Sequence, residues 1–222
     1  MDIIEKLTEI FKEFPGIGER QAKRFVYFLM SRNGIYGENL SGLILNLKRG
    51  TAQCKECFRF FILEKKAHSK NSVSAICDIC ANTNTDSSTI MIVEKDSDLE
   101  SVKKSRVYNG RYFILGGLVP IVEKNTKSRI RIEELKKKIS SQKTVFREAQ
   151  RPSFGNELKE IILAFSISPQ GNHTDQYVRE QIKDITEKLD IKISSLGKGL
   201  STGTELEYSD NDTLKNALKN RQ

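Results

Sequence analysis

Four cysteines in two identically spaced pairs carry the most specific chemistry in this sequence. Cys54 and Cys57 form one C-x-x-C pair, Cys77 and Cys80 form the other, and 19 residues lie between the pairs. Two thiolates three positions apart on a tight turn can bind one face of a metal ion, and two such turns complete a tetrahedron. The spacing therefore predicts a zinc ion. Because all four ligands would be protein sulfurs, the zinc would be structural and not catalytic.

The same cysteines could instead form two disulfides or remain as four buried thiols. Every cysteine of the chain belongs to the zinc pattern, which suits a reducing compartment better than a secreted, disulfide-bonded protein. His68 lies between the two pairs. With four cysteines already present, we expect it to be a solvated loop residue and not a ligand.

A second candidate site lies near the N-terminus. Apolar residues at helical spacing predict helices over residues 2–13 and 19–31, and the sequence Phe14-Pro15-Gly16-Ile17-Gly18 between them predicts a tight hairpin. Gly16 and Gly18 allow backbone N–H groups to approach a phosphate, and the start of the second helix adds the positive end of its dipole.

Basic residues follow this hairpin directly. Arg20, Lys23 and Arg24 lie on the second helix, away from its apolar residues. Such residues extend a phosphate contact without reading base sequence. The pattern therefore favours a helix–hairpin–helix element that binds DNA. The alternative is a plain helical hairpin whose charges are only solvated.

Strands and helices alternate through the second half of the chain. After a short helix at 40–47 and a linker at 82–88, the pattern predicts strands at 90–93, 111–115, 160–165 and 191–196, with helices at 97–105, 133–139 and 174–189. This alternation predicts a small parallel α/β sheet. Ligand sites on such sheets lie at the carboxyl ends of the strands, where Glu94 and the loop 166–174 would meet.

The composition indicates a protein that binds polyanions. The chain has 222 residues, with 37 lysines and arginines against 29 acidic residues and a net charge of +8. No stretch approaches the roughly 20 apolar residues of a membrane span, and residues 1–6 lack the apolar run of a signal peptide. The sequence therefore predicts a soluble, intracellular protein without a membrane partner.

Residues 123–151 concentrate the positive charge. This segment holds ten lysines and arginines against four acidic residues. It is either a flap that faces DNA or a charged helix followed by a mobile loop, and a run of charge alone does not decide between them.

Several short motifs occur in one order along nearly the whole chain. They are Phe14-Pro15-Gly16-Ile17-Gly18 with its basic helix, the four cysteines, Ile92-Val93-Glu94, the run 110–117, Ile161-Ile162-Leu163-Ala164 and the run 199–207. In these motifs the chain resembles the RecR family of bacterial recombination mediators.

The resemblance implies an α/β chain of several parts. Residues 1–50 would form the helix–hairpin–helix DNA-binding region, and residues 51–82 the zinc finger. Residues 87–196 would form a Toprim-like domain, the parallel α/β fold shared with topoisomerases and primases, and residues 197–222 a short C-terminal segment.

The resemblance also implies a function. RecR-like proteins assemble into ring-shaped tetramers that can encircle DNA, so a homotetrameric ring or a dimer is expected. With RecO, and in some bacteria RecF, they help to load RecA onto single strands coated by single-strand-binding protein. The chain would then be a DNA-binding mediator of recombination and repair in the bacterial cytoplasm, associated with the nucleoid. Arg20 and Arg24 match DNA-contacting positions, and Glu94 matches the Toprim glutamate.

One departure from the Toprim pattern bears on catalysis. Catalytic Toprim domains pair the glutamate with an Asp-x-Asp motif, but here the corresponding residues are Ser166-Ile167-Ser168, and Gln170 stands where a glutamate is usual. Mg²⁺ prefers carboxylate ligands, so a single Glu94 predicts a protein without enzymatic activity. The alternative is a metal-dependent Toprim enzyme acting on DNA, such as a nuclease, primase or topoisomerase.

Overall fold

The chain divides into two compact units. The structure, a computed structural model, describes residues 1–63, 75–122, 130–141, 158–197 and 213–214. Among these, residues 1–51 and 62–63 belong to the first unit, and the remainder belong to the second.

The first unit is built from three helices: α1 (Ile3–Lys12), α2 (Glu19–Met30) and α3 (Gly34–Gly50). Asp2 caps α1, because its side chain accepts a hydrogen bond from the Glu5 backbone while the Glu5 carboxylate accepts one from the Asp2 backbone. Helices α1 and α2 pack as a hairpin, with the ring of Phe11 edge-on to Phe25 at 5.8 Å between centroids. Both helices were predicted from the sequence.

Helix α3 is longer than its sequence indicates. The predicted bounds of a short helix at 40–47 are wrong, since one 17-residue helix runs from Gly34 to Gly50. Asn33 starts this helix, because its side chain accepts a hydrogen bond from the Tyr36 backbone at 3.0 Å. The cap and a continuous helical backbone outweigh a cost of about 1 kcal/mol for each interior glycine.

The second unit is organised on a four-stranded parallel sheet with the strand order β4-β3-β5-β6. A two-stranded sheet, β1 (Thr51–Gln53) and β2 (Phe60–Ile62), precedes it in the chain. The remaining elements, in chain order, are α4 (Asp78–Ala81), β3 (Asp86–Val93), α5 (Asp96–Ser105), β4 (Gly110–Ile114), α6 (Ile132–Ser141), β5 (Glu160–Ala164), α7 (Pro169–Leu189) and β6 (Lys192–Ser195). The predicted α/β class with a parallel sheet is confirmed.

Both faces of the sheet are covered, as the continuous apolar run of β3 predicts. Ile90 and Ile92 point into a core that includes residues of α6 and α7. Met91 and Val93 point to the other face, where Leu99 of α5 packs. The core thus holds β3 from both sides and fixes the direction in which its carboxyl end points.

Two elements of the second unit begin four or five residues before their predicted starts. Strand β3 begins at Asp86, because Asp86 and Thr89 already pair with Gly110 and Glu160; the second half of the predicted linker 82–88 is therefore strand. Helix α7 begins at Pro169, five residues before the predicted start, so most of the predicted loop 166–174 is helix.

Some predicted features lie outside the described residues. Within the basic segment 123–151, only residues 130–141 are described, and they contain α6. His68 and nearly all of the C-terminal segment 197–222 also fall outside. Among the helices that are described, none has the length and hydropathy needed to cross a membrane.

Candidate metal centre and candidate nucleic-acid interface

The four cysteines converge on one point. Their sulfur atoms all lie within 4.8 Å of one another, and within the described chain they are the one group of three or more histidine, cysteine, aspartate or glutamate residues close enough to bind an ion. The sulfurs of Cys57 and Cys77 are 3.6 Å apart. A disulfide bond is about 2.05 Å long, whereas a zinc tetrahedron with Zn–S bonds of about 2.3 Å has sulfurs roughly 3.8 Å apart. The geometry therefore fits a metal ion and not two disulfides.

Two short turns present these sulfurs. In the first, the Phe58 backbone donates a hydrogen bond to the Cys54 carbonyl at 2.9 Å, and Phe58 itself adopts a left-handed φ of 63°. In the second, Cys77 is the residue that starts α4, and the Ala81 backbone donates to its carbonyl at 2.9 Å. The Cys77 backbone also donates to the Cys54 sulfur at 3.4 Å, which joins the two turns directly.

Hydrogen bonds between the cysteines shift the pKa values of Cys57 and Cys77 in opposite directions. Hydrogen bonds from Cys57 and then Cys80 lower the pKa of Cys77. The hydrogen bond to Cys77, then the one to Cys80 and then burial raise the pKa of Cys57. One thiolate is therefore favoured here, but a second one beside it is opposed by like charge and desolvation. A bound dication removes that opposition, because it deprotonates coordinating thiols.

The first turn is joined to the sheet by backbone and aromatic contacts. The Cys57 carbonyl accepts a hydrogen bond from the Ile114 backbone at 2.9 Å, at the end of edge strand β4. The Phe58 ring lies edge-on to Phe113 at 5.3 Å between centroids. The Arg131 guanidinium lies 5.4 Å from the centre of the Phe58 ring. The cysteine turn is therefore part of the packing of the second unit.

Two largely buried cations add to this attachment. The Arg59 side chain is 11% exposed and bridges Asp78 at 3.0 Å and Glu100 at 3.3 Å. The Lys138 side chain, also 11% exposed, donates to both the carbonyl and the carboxylate of Glu56, at 2.9 and 2.7 Å. These contacts connect the two cysteine turns to each other, to α5 and to α6.

A different set of side chains lies at the carboxyl edge of the sheet. Because Val93 pairs with Ala164, the residues that follow these strands, Glu94 and Ser166, share one edge. The Ser166 and Ser168 hydroxyls are 3.0 Å apart, and the Ser168 hydroxyl accepts a hydrogen bond from the Gly171 backbone at the start of α7. Ser168 therefore serves as a helix cap. Within the described residues, Glu94 does not belong to any group of three potential metal ligands.

The hairpin between α1 and α2 has the backbone that its glycines predict. Gly16 adopts a φ of 77°, where a Cβ would be strained. The Ile17 backbone donates to the Phe14 carbonyl at 3.1 Å and closes the turn. Gly18 starts α2 without a side-chain cap. The first N–H groups of α2 are thus not covered by a capping side chain and can meet an anion.

Arg20, Lys23 and Arg24 form the basic face of α2, and all three side chains are exposed. The Lys23 ammonium bonds to Glu19 at 2.7 Å, which raises the pKa of Lys23 and lowers that of Glu19. The Arg24 guanidinium lies 3.4 Å from the Gln21 amide oxygen. The structure brings the predicted basic residues together beside Gly18.

Comparison with known proteins agrees with the motifs. Residues 88–196 match the Toprim domain, and residues 199–222 match the C-terminal model of RecR. The Recombination protein RecR of Bacteroides thetaiotaomicron is 32% identical over 219 residues, which is 99% of this chain and 93% of that protein. The chain belongs to the RecR family. The RecR proteins of Lactobacillus acidophilus (30% identity, 98% of this chain and 96% of theirs) and Legionella pneumophila subsp. pneumophila (27%, 100% and 96%) are similar over the same extent.

Membership of the RecR family confirms the resemblance and makes this chain a relative of proteins named for recombination. The four-cysteine cluster is confirmed as a group able to hold a metal ion. The roles of Gly16, Gly18, Arg20, Lys23, Arg24 and Glu94 and the part boundaries remain predictions.

Sequence reasoning missed the cations that attach the cysteine turns. Arg59 had a signal, since it interrupts the apolar run from Phe58 to Leu63, and a charge at such a position needs a partner. Lys138 had no signal, because its partner Glu56 is 82 positions away.

Proposed function

We propose that this protein is a DNA-binding recombination mediator. It acts with RecO, and where present RecF, to help load RecA onto single-stranded DNA coated by single-strand-binding protein. The observation that carries this proposal is the similarity to RecR proteins over 98–100% of the chain. In this proposal residues 1–50 bind DNA, residues 51–82 form a zinc finger, residues 87–196 form the Toprim domain and residues 197–222 form a C-terminal segment, in a cytoplasmic, nucleoid-associated protein.

The proposed DNA contact uses the hairpin and the basic face of α2. Gly16 and Gly18 present backbone N–H groups to a phosphate, and Arg20, Lys23 and Arg24 neutralise neighbouring phosphates. Binding of this kind depends little on base sequence and strongly on salt, because each neutralised phosphate releases a counterion.

The test replaces two cations and measures affinity across a salt series. The Arg20→Ala/Arg24→Ala variant should bind DNA more weakly for all sequences, with a salt slope lower by roughly one unit per lost contact. Lys48→Ala/Arg49→Ala is the matched control, because these exposed residues lie on α3 of the same unit and carry the same charge. Unchanged affinity and slope in a folded Arg20/Arg24 variant would assign the DNA contact to another region, for which segment 123–151 is the candidate.

The metal in the four-cysteine cluster is proposed to be zinc. Four thiolates in a closed tetrahedral set suit zinc and leave no position for a reacting water. The cluster would hold the two turns together and contribute to folding, and it would take no part in a reaction.

Helix α3 of the first unit has an exposed apolar surface that could mediate self-association. None of the residues of α3 is buried, and its exposed apolar side chains are Ile35, Leu43, Ile44, Leu45 and Leu47. An apolar surface of this kind is typical of an interface. We propose that a second copy covers it, as the first step toward a dimer or a homotetrameric ring. Solution mass should fall for Leu43→Lys and stay constant for Val107→Lys, which alters an exposed apolar residue of the second unit.

Absence of enzymatic activity is also part of the proposal. A Toprim nuclease, primase or topoisomerase needs carboxylates that bind Mg²⁺ together. Glu94 is instead accompanied by two serines, one of which caps α7. Mg²⁺- or Mn²⁺-dependent cleavage or relaxation of DNA that disappears in Glu94→Ala would establish the enzyme alternative.

Association with RecO is tested by co-purification with the RecO protein of the same organism.

A further inference from the structure

The basic face of α2 also carries an aromatic ring. Tyr27 follows Lys23 by four positions and Arg24 by three, and residues so spaced lie side by side on a helix. Its side chain is 59% exposed. Ala22 and Val26, on the opposite side of the helix, are buried. Tyr27 therefore points outward among the cations and does not belong to the packing face.

Tyr27 differs from the other rings of the first unit. Phe14 and Phe25 each pack on Phe11, and Phe28 packs on Tyr36 under the Arg32 guanidinium. Among the described residues, Tyr27 makes no ring contact of this kind. With more than half of its surface exposed, the ring is accessible to an external group. Folding of the unit does not account for an exposed ring at this position.

The charges around Tyr27 favour a nucleic acid over a protein surface. Lys23 and Tyr27 are about 6 Å apart along the helix axis, since each residue advances a helix by about 1.5 Å. A strand whose phosphates lie on the cations would bring its bases to the next turn, where Tyr27 is. Bases stack on aromatic side chains in proteins that bind single strands, without regard to base identity.

We propose that Tyr27 stacks on an unpaired base of a single strand whose phosphates are held by Arg20, Lys23 and Arg24. In a duplex the bases are paired and stacked on one another, so they cannot cover this ring. Tyr27 thus gives the site a preference for single-stranded DNA over duplex DNA. This inference rests on the proposed DNA contact of α2.

The test compares three DNA molecules of equal length. One is a single strand of mixed sequence, one is a single strand of the same length that is abasic throughout, and one is a duplex. Tyr27→Ala should weaken binding to the intact strand by at least about fivefold, which is the lower end expected for one lost stacking contact. It should change binding to the abasic strand and the duplex by less than about twofold, since phosphate contacts are unaltered.

Two further variants separate the ring from its position. Tyr27→Phe keeps the ring and should bind the intact strand as the parent protein does. Tyr36→Ala removes another exposed ring of the same unit, outside the basic face of α2, and should also leave binding unchanged. Circular dichroism of each variant checks that the helices are intact.

A spectroscopic test follows from the composition. The chain contains no tryptophan, so Tyr27→Trp provides a single indole at the site, which can be excited at wavelengths where the tyrosines do not absorb. Its emission should be quenched by the intact single strand and much less by the abasic strand, because quenching requires contact between the indole and a base.

Several outcomes would overturn the inference. They are unchanged binding of Tyr27→Ala to the intact strand, equal losses on all three molecules, and a lower solution mass for Tyr27→Ala, which would mean that the ring contacts a second copy of the chain. If Arg20→Ala/Arg24→Ala loses DNA and Tyr27→Ala does not, only this inference fails. If the parent protein binds none of the three molecules, the proposed function fails as well.

Discussion

The second unit contains two places where a metal ion could be expected, and they differ in the completeness of their ligands. At the four-cysteine cluster, four sulfurs from two separate turns meet within 4.8 Å. At the carboxyl edge of the sheet, Glu94 follows β3, and Ser166 and Ser168 come after the neighbouring strand β5. Fold alone therefore does not make a metal site. Within the described residues of this unit, only the four cysteines form a group of three or more potential metal ligands.

The largest effect is expected from removing one sulfur. Cys57→Ser should lose the metal and destabilise the protein by more than about 4 kcal/mol, because loss of a structural metal is among the few single changes of that size. Elemental analysis for zinc and thermal unfolding measure the two effects.

His68→Ala is the control for this prediction, since His68 is expected not to be a ligand. It should keep about one zinc per chain. If the parent protein is folded and reduced but contains no zinc, the cluster holds no structural zinc. The contrast between the cluster and the edge that carries Glu94 would then be lost.

The next effect should appear when the missing carboxylates are supplied. Ser166→Asp/Ser168→Asp adds two acids to the edge that carries Glu94, and aspartate can still cap α7 at position 168. Without metal, like charges should destabilise the variant by about 1–2 kcal/mol. Mn²⁺ should restore that loss and bind measurably by calorimetry.

Ser166→Asn/Ser168→Asn has nearly the same shape without the charge and should not gain Mn²⁺ binding. If the parent protein binds Mn²⁺ as well as the aspartate variant does, the edge is already a metal site and the comparison breaks down.

A smaller effect is expected at the contacts that support the sulfur site. Arg59→Ala removes a buried guanidinium from between Asp78 and Glu100. Because both acids are more than half exposed, their charges return to water and the expected loss is about 1–2 kcal/mol. A chelator should also remove zinc faster from this variant. Arg59→Lys, which keeps one charge, should lie between the variant and the parent protein, and equal zinc release in all three would contradict the role of Arg59.

The smallest effect concerns alkaline pH, where metal ligands stay deprotonated. Burial raises the pKa of Tyr108 above the ordinary value. Below the unfolded pKa of about 10 its contribution is fully present, and it is lost as pH rises toward the folded pKa, by at most about 1.4 kcal/mol per pH unit. Tyr108→Phe should flatten the decline in unfolding free energy above pH 10, while its zinc content stays unchanged. An identical decline in both proteins would rule out Tyr108 as its source.

The parts of this molecule that could be predicted from sequence are those whose signal is local. The cysteine spacing predicted the cluster because each pair of ligands lies within one turn of chain. The apolar run 90–93 predicted a strand covered on both faces. The predicted start of helix α7 was five residues too late. Ser168, a cap, and Pro169, a first-turn proline, mark the true start in the sequence.

Features that depend on distant residues were not predictable in the same way. No residue of helix α3 is buried. Its apolar residues therefore show only weak helical periodicity, and neither they nor its glycines indicated one continuous helix. The contact between Lys138 and Glu56 and that between Ile114 and Cys57 join positions far apart in the chain. They follow only from the way α6 and β4 pack.

The hydrogen bond from Ile114 to the Cys57 carbonyl has a consequence for the order of events during synthesis. All four cysteines precede every strand of the parallel sheet in the chain, so the metal can bind before β4 leaves the ribosome. When strand β4 emerges, the cysteine turn that accepts its hydrogen bond has already formed. This turn covers part of the exposed edge of β4 and limits its pairing with other nascent chains. We expect zinc starvation during synthesis to produce more aggregated protein than removal of zinc from the finished protein, as sedimentation of the two preparations would measure.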